Sequence, residues 1–147
     1  MEMNGIVISP DPRLRQECAE ITEIGPEIER LAERMKQMMF DNGGCGLAAP
    51  QIGELIQLVV IDTDYTGADD FDPYVLINPV IVEQSDTLAP YNEGCLSIPG
   101  LFFPTKRSWY ARAEGIDVDG KAKVVEGEEL MGRCIQHEVD HLDGHLY

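Results

Sequence analysis

The stretch that decides the reading is Gln136-His137-Glu138-Val139-Asp140-His141, near the end of the sequence. On a helix, residues four apart share a face, so the imidazoles of His137 and His141 can reach one metal ion. Glu138 is placed to face a water at that ion and to act as general base. The pattern points to metal-assisted hydrolysis. It also predicts a helix over Glu128 to Leu142, with Leu130, Cys134, His137 and His141 on roughly one stripe.

Upstream, Pro26 to Phe40 reads as a second amphipathic helix. Pro26 suits the first helical position, Glu27 and Glu29 complement the helix dipole, and Ile28, Leu31, Met35 and Met38 recur at helical spacing. Asn42-Gly43-Gly44 stops it. Leu55 to Ile61 and Tyr74 to Val82 read as strands, the latter broken at Asn78-Pro79. Ser108 to Ala113 and Ile116 to Val118 read as strands too, and Asp119-Gly120 predicts a hairpin into Lys121 to Val125. With no internal repeat or linker, the 147 residues predict one α+β domain, residues 1–147, with mixed β-sheets around a C-terminal metal-binding helix.

Composition narrows the setting. A hydrophobic content of 44% describes a globular chain. No apolar run is long enough to span a membrane, and Met1 to Pro10 has neither the basic start nor the apolar stretch of a signal peptide. A cytoplasmic protein is expected, with its four cysteines reduced. The net charge of −16 and the lack of a Lys/Arg cluster argue against nucleic-acid binding.

A catalytic site of this type takes three protein ligands and keeps one open position. The sequence fits the extended pattern H-E-x-x-H-x-x-G-x-x-H through Gly144, but its last position is Tyr147. The third ligand must come from upstream. Cys134 to His141 spans seven residues, ~10 Å along a helix axis, too far for three ligands to converge well. Cys134 reads as a small buried residue behind the site. Cys95 is the best candidate, in Glu93-Gly94-Cys95-Leu96-Ser97, where Gly94 permits close backbone approach. The run Gly44-Cys45-Gly46-Leu47-Ala48-Ala49-Pro50-Gln51 superficially fits a dinucleotide fingerprint, but a helix precedes it where a strand is needed. It reads better as a loop exposing backbone groups to an extended substrate, with Gln51 offering an amide N–H to a developing oxyanion.

Together these segments resemble the peptide deformylase family, whose signatures are G-x-G-x-A-A-x-Q, E-G-C-x-S and Q-H-E-x-D-H. They correspond to Gly44–Gln51, Glu93–Ser97 and Gln136–His141, and the resemblance covers essentially the whole sequence. It implies that Cys95, His137 and His141 hold the metal with a water as fourth ligand, and that Glu138 takes the water's proton and passes it to the leaving amine. It implies that Gln51 and the Leu96 backbone N–H stabilise the oxyanion, and that Gly46 and its neighbours bind the peptide in strand-like fashion. The implied reaction is removal of the N-formyl group from formyl-methionine of nascent polypeptides, releasing formate. Fe(II) is the implied metal, with Ni(II) or Co(II) able to substitute and Zn(II) often poor.

Two positions depart from the family pattern. Cys45 stands where many members have an aliphatic residue, beside the expected methionine pocket. Arg133 replaces another aliphatic residue, and its head is expected to reach solvent. Arg107 is expected to pair with Glu93 and steady the Cys95 loop. Asp140 reads as a partner for a histidine, as a plain surface charge or as part of a helix-capping pair, and His145 as a surface residue. A transient ribosome contact is an expected partner, although the sequence carries no basic C-terminal extension of the kind many bacterial relatives use. Short relatives occur in bacteria, organelles and phages. Two rival readings remain: a metallopeptidase of another class, which needs a downstream ligand, and a closed structural site, which needs Cys134 or Cys45 as a fourth ligand.

Overall fold

A computed structural model describes residues 2–3, 5–62 and 73–146. Its strands are β1 (Glu2–Met3), β2 (Ile6–Val7), β3 (Gly46–Ala48), β4 (Leu58–Ile61), β5 (Tyr74–Gln84), β6 (Leu88–Cys95), β7 (Ile98–Ser108), β8 (Tyr110–Ile116) and β9 (Ala122–Glu128). Its α-helices are α1 (Pro26–Asp41) and α2 (Glu129–Leu142). Tyr147, which ends the extended histidine pattern, lies outside the described residues.

The apolar run of β4 organises the core. Successive side chains of a strand point to opposite faces, so a strand with no polar alternation must be covered on both. Leu58 and Val60 pack with Ala32, Met35 and Met39 of α1. Val59 and Ile61 pack on the other face with Cys134, Ile135 and Leu142 of α2. The five-stranded sheet, in order β3-β4-β5-β8-β9, thus lies between the two helices. β6 and β7 form a separate two-stranded ribbon, as do β1 and β2. The α+β expectation holds. All the named strand pairs are antiparallel, and an isolated parallel bridge joins Ala19 to Ile56.

Both expected helices form within a residue of their expected ends. The break expected at Asn78-Pro79 is instead a register shift inside β5. Asn78 sits at φ 52, and its side-chain amide pairs with both backbone groups of Ile21 at 2.8 and 2.9 Å. Ser108 ends β7, and one strand, β8, ends at Ile116. Asp117 to Gly120 form the turn into β9, with Gly120 at φ 81. The segment Gly44–Gln51 is not a loop throughout. Gly46–Ala48 pair with β4 as an edge strand, and Ala49–Ile52 make a 3₁₀ turn. Among the described residues no helix is long and apolar enough to cross a membrane.

Candidate active site

α2 runs against β8, β9 and β3 with its residues from Gly132 to Glu138 buried. Gln136 pins it to the ribbon, accepting from the Ser108 N–H at 3.1 Å and donating to the Ser108 carbonyl at 2.8 Å. His137 and His141 stack edge to face, and their Nε2 atoms stand 2.9 Å apart. From the end of β6, the Cys95 sulfur reaches His141 Nε2 at 3.4 Å. The ligand atoms of Cys95, His137 and His141 all lie within 4.8 Å of one another. A register shift between Gly94 and Cys95 turns this sulfur out of the β6–β7 ladder toward the helix.

The nitrogens show what this cluster suits. Glu93 accepts from His137 Nδ1, which fixes that ring's tautomer and leaves a lone pair on Nε2. Burial, with positive charge on His137 and Arg107, drives the pKa of His141 well below its usual value. Without an ion, burial opposes charge on His137, yet the Cys95 sulfur and the Glu93 carboxylate outweigh it and push its pKa up to about 10. A cation placed among the two Nε2 atoms and the Cys95 sulfur would displace that proton and take a lone pair from each of the three atoms. One sulfur and two imidazole nitrogens fit a borderline-soft divalent metal.

Glu93 is the hub of the support. It accepts from Arg107 Nε at 2.8 Å and Nη2 at 2.8 Å, from Arg133 Nη1 at 2.7 Å and from Thr105 at 3.1 Å. Burial disfavours its charged form, but His137, Arg107 and Arg133 hold its pKa well below the usual carboxylate range. The expected Arg107–Glu93 pair is present, and Arg107 also reaches Asp140 at 2.8 Å. Asp140 serves this arginine, and Glu93 serves the histidine. Arg133 corrects the expectation for its head group. It is 6% exposed, and its guanidinium is taken up by Glu93, Thr105 and the Ala89 carbonyl, with the Tyr91 ring 5.3 Å away. A charged helix residue reads from sequence as solvated. Here three acceptors on the ribbon, the buried Glu93 among them, hold it inside.

A cavity of about 460 Å³ opens beside this cluster, lined among others by Cys45, Gly46, Gln51, Leu96, His137 and Glu138. Glu138 is 2% exposed, with Oε1 3.9 Å from His141 Nε2 and without a hydrogen-bond partner among the described residues. Burial pushes its pKa up to about 8, against the pull of His137. Gln51 accepts from the Ala48 N–H at 2.9 Å and turns its amide nitrogen to Cys95 Sγ at 3.5 Å and Ser97 Oγ at 3.2 Å. Leu96 occupies the turn between β6 and β7. Gly46 lies so close to α2 that a Cβ there would stand 2.5 Å from Glu138 Oε2. Cys134 is buried behind the cluster, its sulfur 3.4 Å from that of Cys45, and His145 is exposed. Sequence reasoning missed Ser97, Thr105 and the Glu93–His137 bond. Only the place of Glu93 and Ser97 within the Cys95 segment hinted at them.

The family model for polypeptide deformylase matches residues 3–147. The chain belongs to the peptide deformylase family. The peptide deformylase of Agathobacter rectalis is 44% identical over 147 residues, covering 100% of this chain and 89% of the relative. That of Rhizobium meliloti is 42% identical over 100% of this chain and 84% of the relative. Among solved structures, peptide deformylase from Thermotoga maritima superposes with a TM-score of 0.89 at 33% identity, over 99% of this chain and 95% of that one. The Legionella pneumophila peptide deformylase gives 0.90 at 36%, over 97% and 82%. Like its family, this deformylase is a metal-dependent enzyme that removes the N-formyl group from nascent peptides. The rival peptidase and structural-site readings fall away. Cys45 and Cys134 face each other, and the three-ligand cluster does not include them.

Proposed function

We propose the following division of labour for deformylation in this chain, acting as one catalytic domain over residues 1–147. Cys95, His137 and His141 hold a divalent metal, Fe(II) in the cell. A bound ion of this kind supplies Lewis acidity and lowers the pKa of a water at its open position toward ~7. The sulfur and two nitrogens favour Fe(II), Co(II), Ni(II) or Zn(II) over Mg(II) or Ca(II). Metal analysis of anaerobically prepared protein tests the choice of iron, and a zinc-only content would overturn it.

The observation that carries the mechanism is Glu138, buried on the cavity wall with its Oε1 3.9 Å from His141 Nε2, where burial pushes its pKa up from the usual carboxylate range. A general base works best when its pKa lies near the working pH. Glu138 takes the proton of the attacking water and returns it to the departing amine. The formyl oxygen, as it gains negative charge, is met by the Gln51 amide N–H and the Leu96 backbone N–H. Gln51 is held for this by its bond from Ala48. β3 is an edge strand of the sheet, which suits an extended peptide laid along Gly46 and its neighbours. Cys45 forms part of the wall that receives the methionine side chain.

The deciding experiment is formate release from a formyl-Met-Ala peptide by the metal-loaded protein and its Glu138→Gln variant. Loss of release with metal retained supports the assignment, and normal turnover in the variant sinks it. We further propose that the enzyme works in the cytoplasm, meeting its substrates as they leave the ribosome. Co-sedimentation with translating ribosomes tests that contact, and free enzyme at every salt concentration would count against it.

A further inference from the structure

Two thiols face each other at the edge of the cavity, and the mechanism gives neither any chemistry. Cys45 immediately precedes β3 and is partly exposed, while Cys134 is buried in α2. Their sulfurs are 3.4 Å apart, and Cys134 Sγ also lies 3.2 Å from the Cys45 carbonyl oxygen. A disulfide has a sulfur–sulfur distance of ~2.05 Å, so the two atoms need to close by about 1.4 Å. They are carried by a strand segment and a helix that pack directly, since a Cβ at Gly46 would come within 2.8 Å of Cys134 Sγ. The third thiol of the region, Cys95, belongs to the metal cluster.

We propose that Cys45 and Cys134 are a redox site of this enzyme: on meeting a hydroperoxide they form an intramolecular disulfide that reversibly switches the active site off. Cys45, the more open thiol, attacks one peroxide oxygen. The O–O bond breaks, one water leaves, and Cys45 becomes a sulfenic acid. The Cys134 sulfur then attacks the Cys45 sulfur and expels its hydroxyl, which departs as a second water with the Cys134 proton. Two thiols lose two electrons, and one hydrogen peroxide becomes two waters. The bond draws the start of β3 toward α2, where Gly46 already leaves no slack against Glu138. The cross-link does not depend on the roles proposed above, but its effect on turnover rests on them.

The test uses the full chain loaded with Ni(II), which keeps iron–peroxide chemistry out, and a small excess of hydrogen peroxide. Cleavage after glutamate separates the three thiols into segments 34–54, 94–114 and 130–138. The expected product is 34–54 joined to 130–138, lighter by two hydrogens and separated again by dithiothreitol. Formate release is expected to fall ~100-fold, as for an ångström-scale displacement of a catalytic group, and to return on reduction with nickel still bound. Cys134→Ser removes the link and the reversible loss, and Cys45→Ser serves if that variant fails to fold. Oxygen added to separate segments without a link, or a link that includes 94–114, would overturn the proposal. Full turnover with the link formed would overturn the switch. If formate is not released even before oxidation, the functional reading fails, while the segment map still decides the cross-link.

Discussion

Gly46 is where a single methyl group tests the site geometry most directly. A Cβ there would stand 2.5 Å from Glu138 Oε2, 2.7 Å from Glu138 Cγ and 2.8 Å from Cys134 Sγ. Carbon atoms settle ~3.5–4.0 Å apart, so the contact to Cγ alone is short by about 0.8 Å or more. Cys134 and Glu138 lie on successive turns of α2, and both are buried. One rotamer change cannot relieve both contacts. Either β3 and α2 part, or Glu138 leaves its place. Overpacking of this kind costs ~1–3 kcal/mol, a fall of about 2–12 °C in melting temperature for a domain of this size. Displacing a catalytic group by about 1 Å costs on the order of 10²-fold in rate. Gly46→Ala is therefore expected to lose about that much in kcat with its metal retained. Formate release, metal content and thermal melting are compared with Gly25→Ala, where a Cβ meets nothing within 4 Å. A Gly46→Ala enzyme with normal kcat and melting temperature refutes the contact. A raised KM with kcat intact would mean that Gly46 serves the substrate backbone and not the carboxylate.

Arg107→Ala leaves Glu93 short of its bidentate partner in a buried site. Breaking such a pair costs ~3–5 kcal/mol, and metal retention against a chelator should weaken; unchanged retention would count against the role of Glu93 in orienting His137. Cys95→Ala is expected to abolish tight metal binding, read directly as metal content after dialysis, and full occupancy would remove Cys95 from the ligand set. In metal-free protein, burial pushes the Glu138 pKa up to about 8 in the folded state, against 4.5 for a free carboxyl. The folded state then holds the proton more tightly than the unfolded state, so this contribution to stability is present below about 4.5 and is lost as pH rises through about 8. Denaturant melts with chelator present should show that fall between those limits, and a smaller one in Glu138→Gln. Identical pH slopes for the two proteins would refute the burial of an ionisable Glu138.

Much of this was legible because a few residues carry strong constraints. The His137/His141 spacing has one geometric reading on a helix, and the structure keeps it. Met35 in α1 and the continuous apolar run of β4 announced buried faces before any contact was known. The β6–β7 ribbon was not legible. Pro90, Pro99, Pro104, Gly94 and Gly100 punctuate it as they would a loop, and Leu101 and Phe102 are exposed at 55% and 69%. A two-stranded ribbon tolerates such residues because each strand has a free edge. Arg133 escaped for another reason. Its burial depends on acceptors 40 or more residues upstream, Glu93 and the Ala89 carbonyl, which no local pattern reveals.

Charge balance explains why the ribbon and the helix need each other. Glu93 and Asp140 face Arg107 and Arg133, two negative groups against two positive ones, so that network is neutral by itself. Its surplus hydrogen-bonding capacity is spent on His137, which holds the ring with one nitrogen toward the cluster. Cys95 and Glu138 remain outside this balance. A buried Glu138 carboxylate is costly unless positive charge stands near it, and a dication among Cys95, His137 and His141 would supply that charge. That cost of burial is what raises the pKa of Glu138. In the proposed assignment, a divalent ion held by Cys95, His137 and His141 would pull that pKa down toward neutrality, where the residue can both take and return a proton. The ribbon that supplies Glu93 and Cys95 is thus as much a part of the proposed catalytic apparatus as the helix whose histidines announce it.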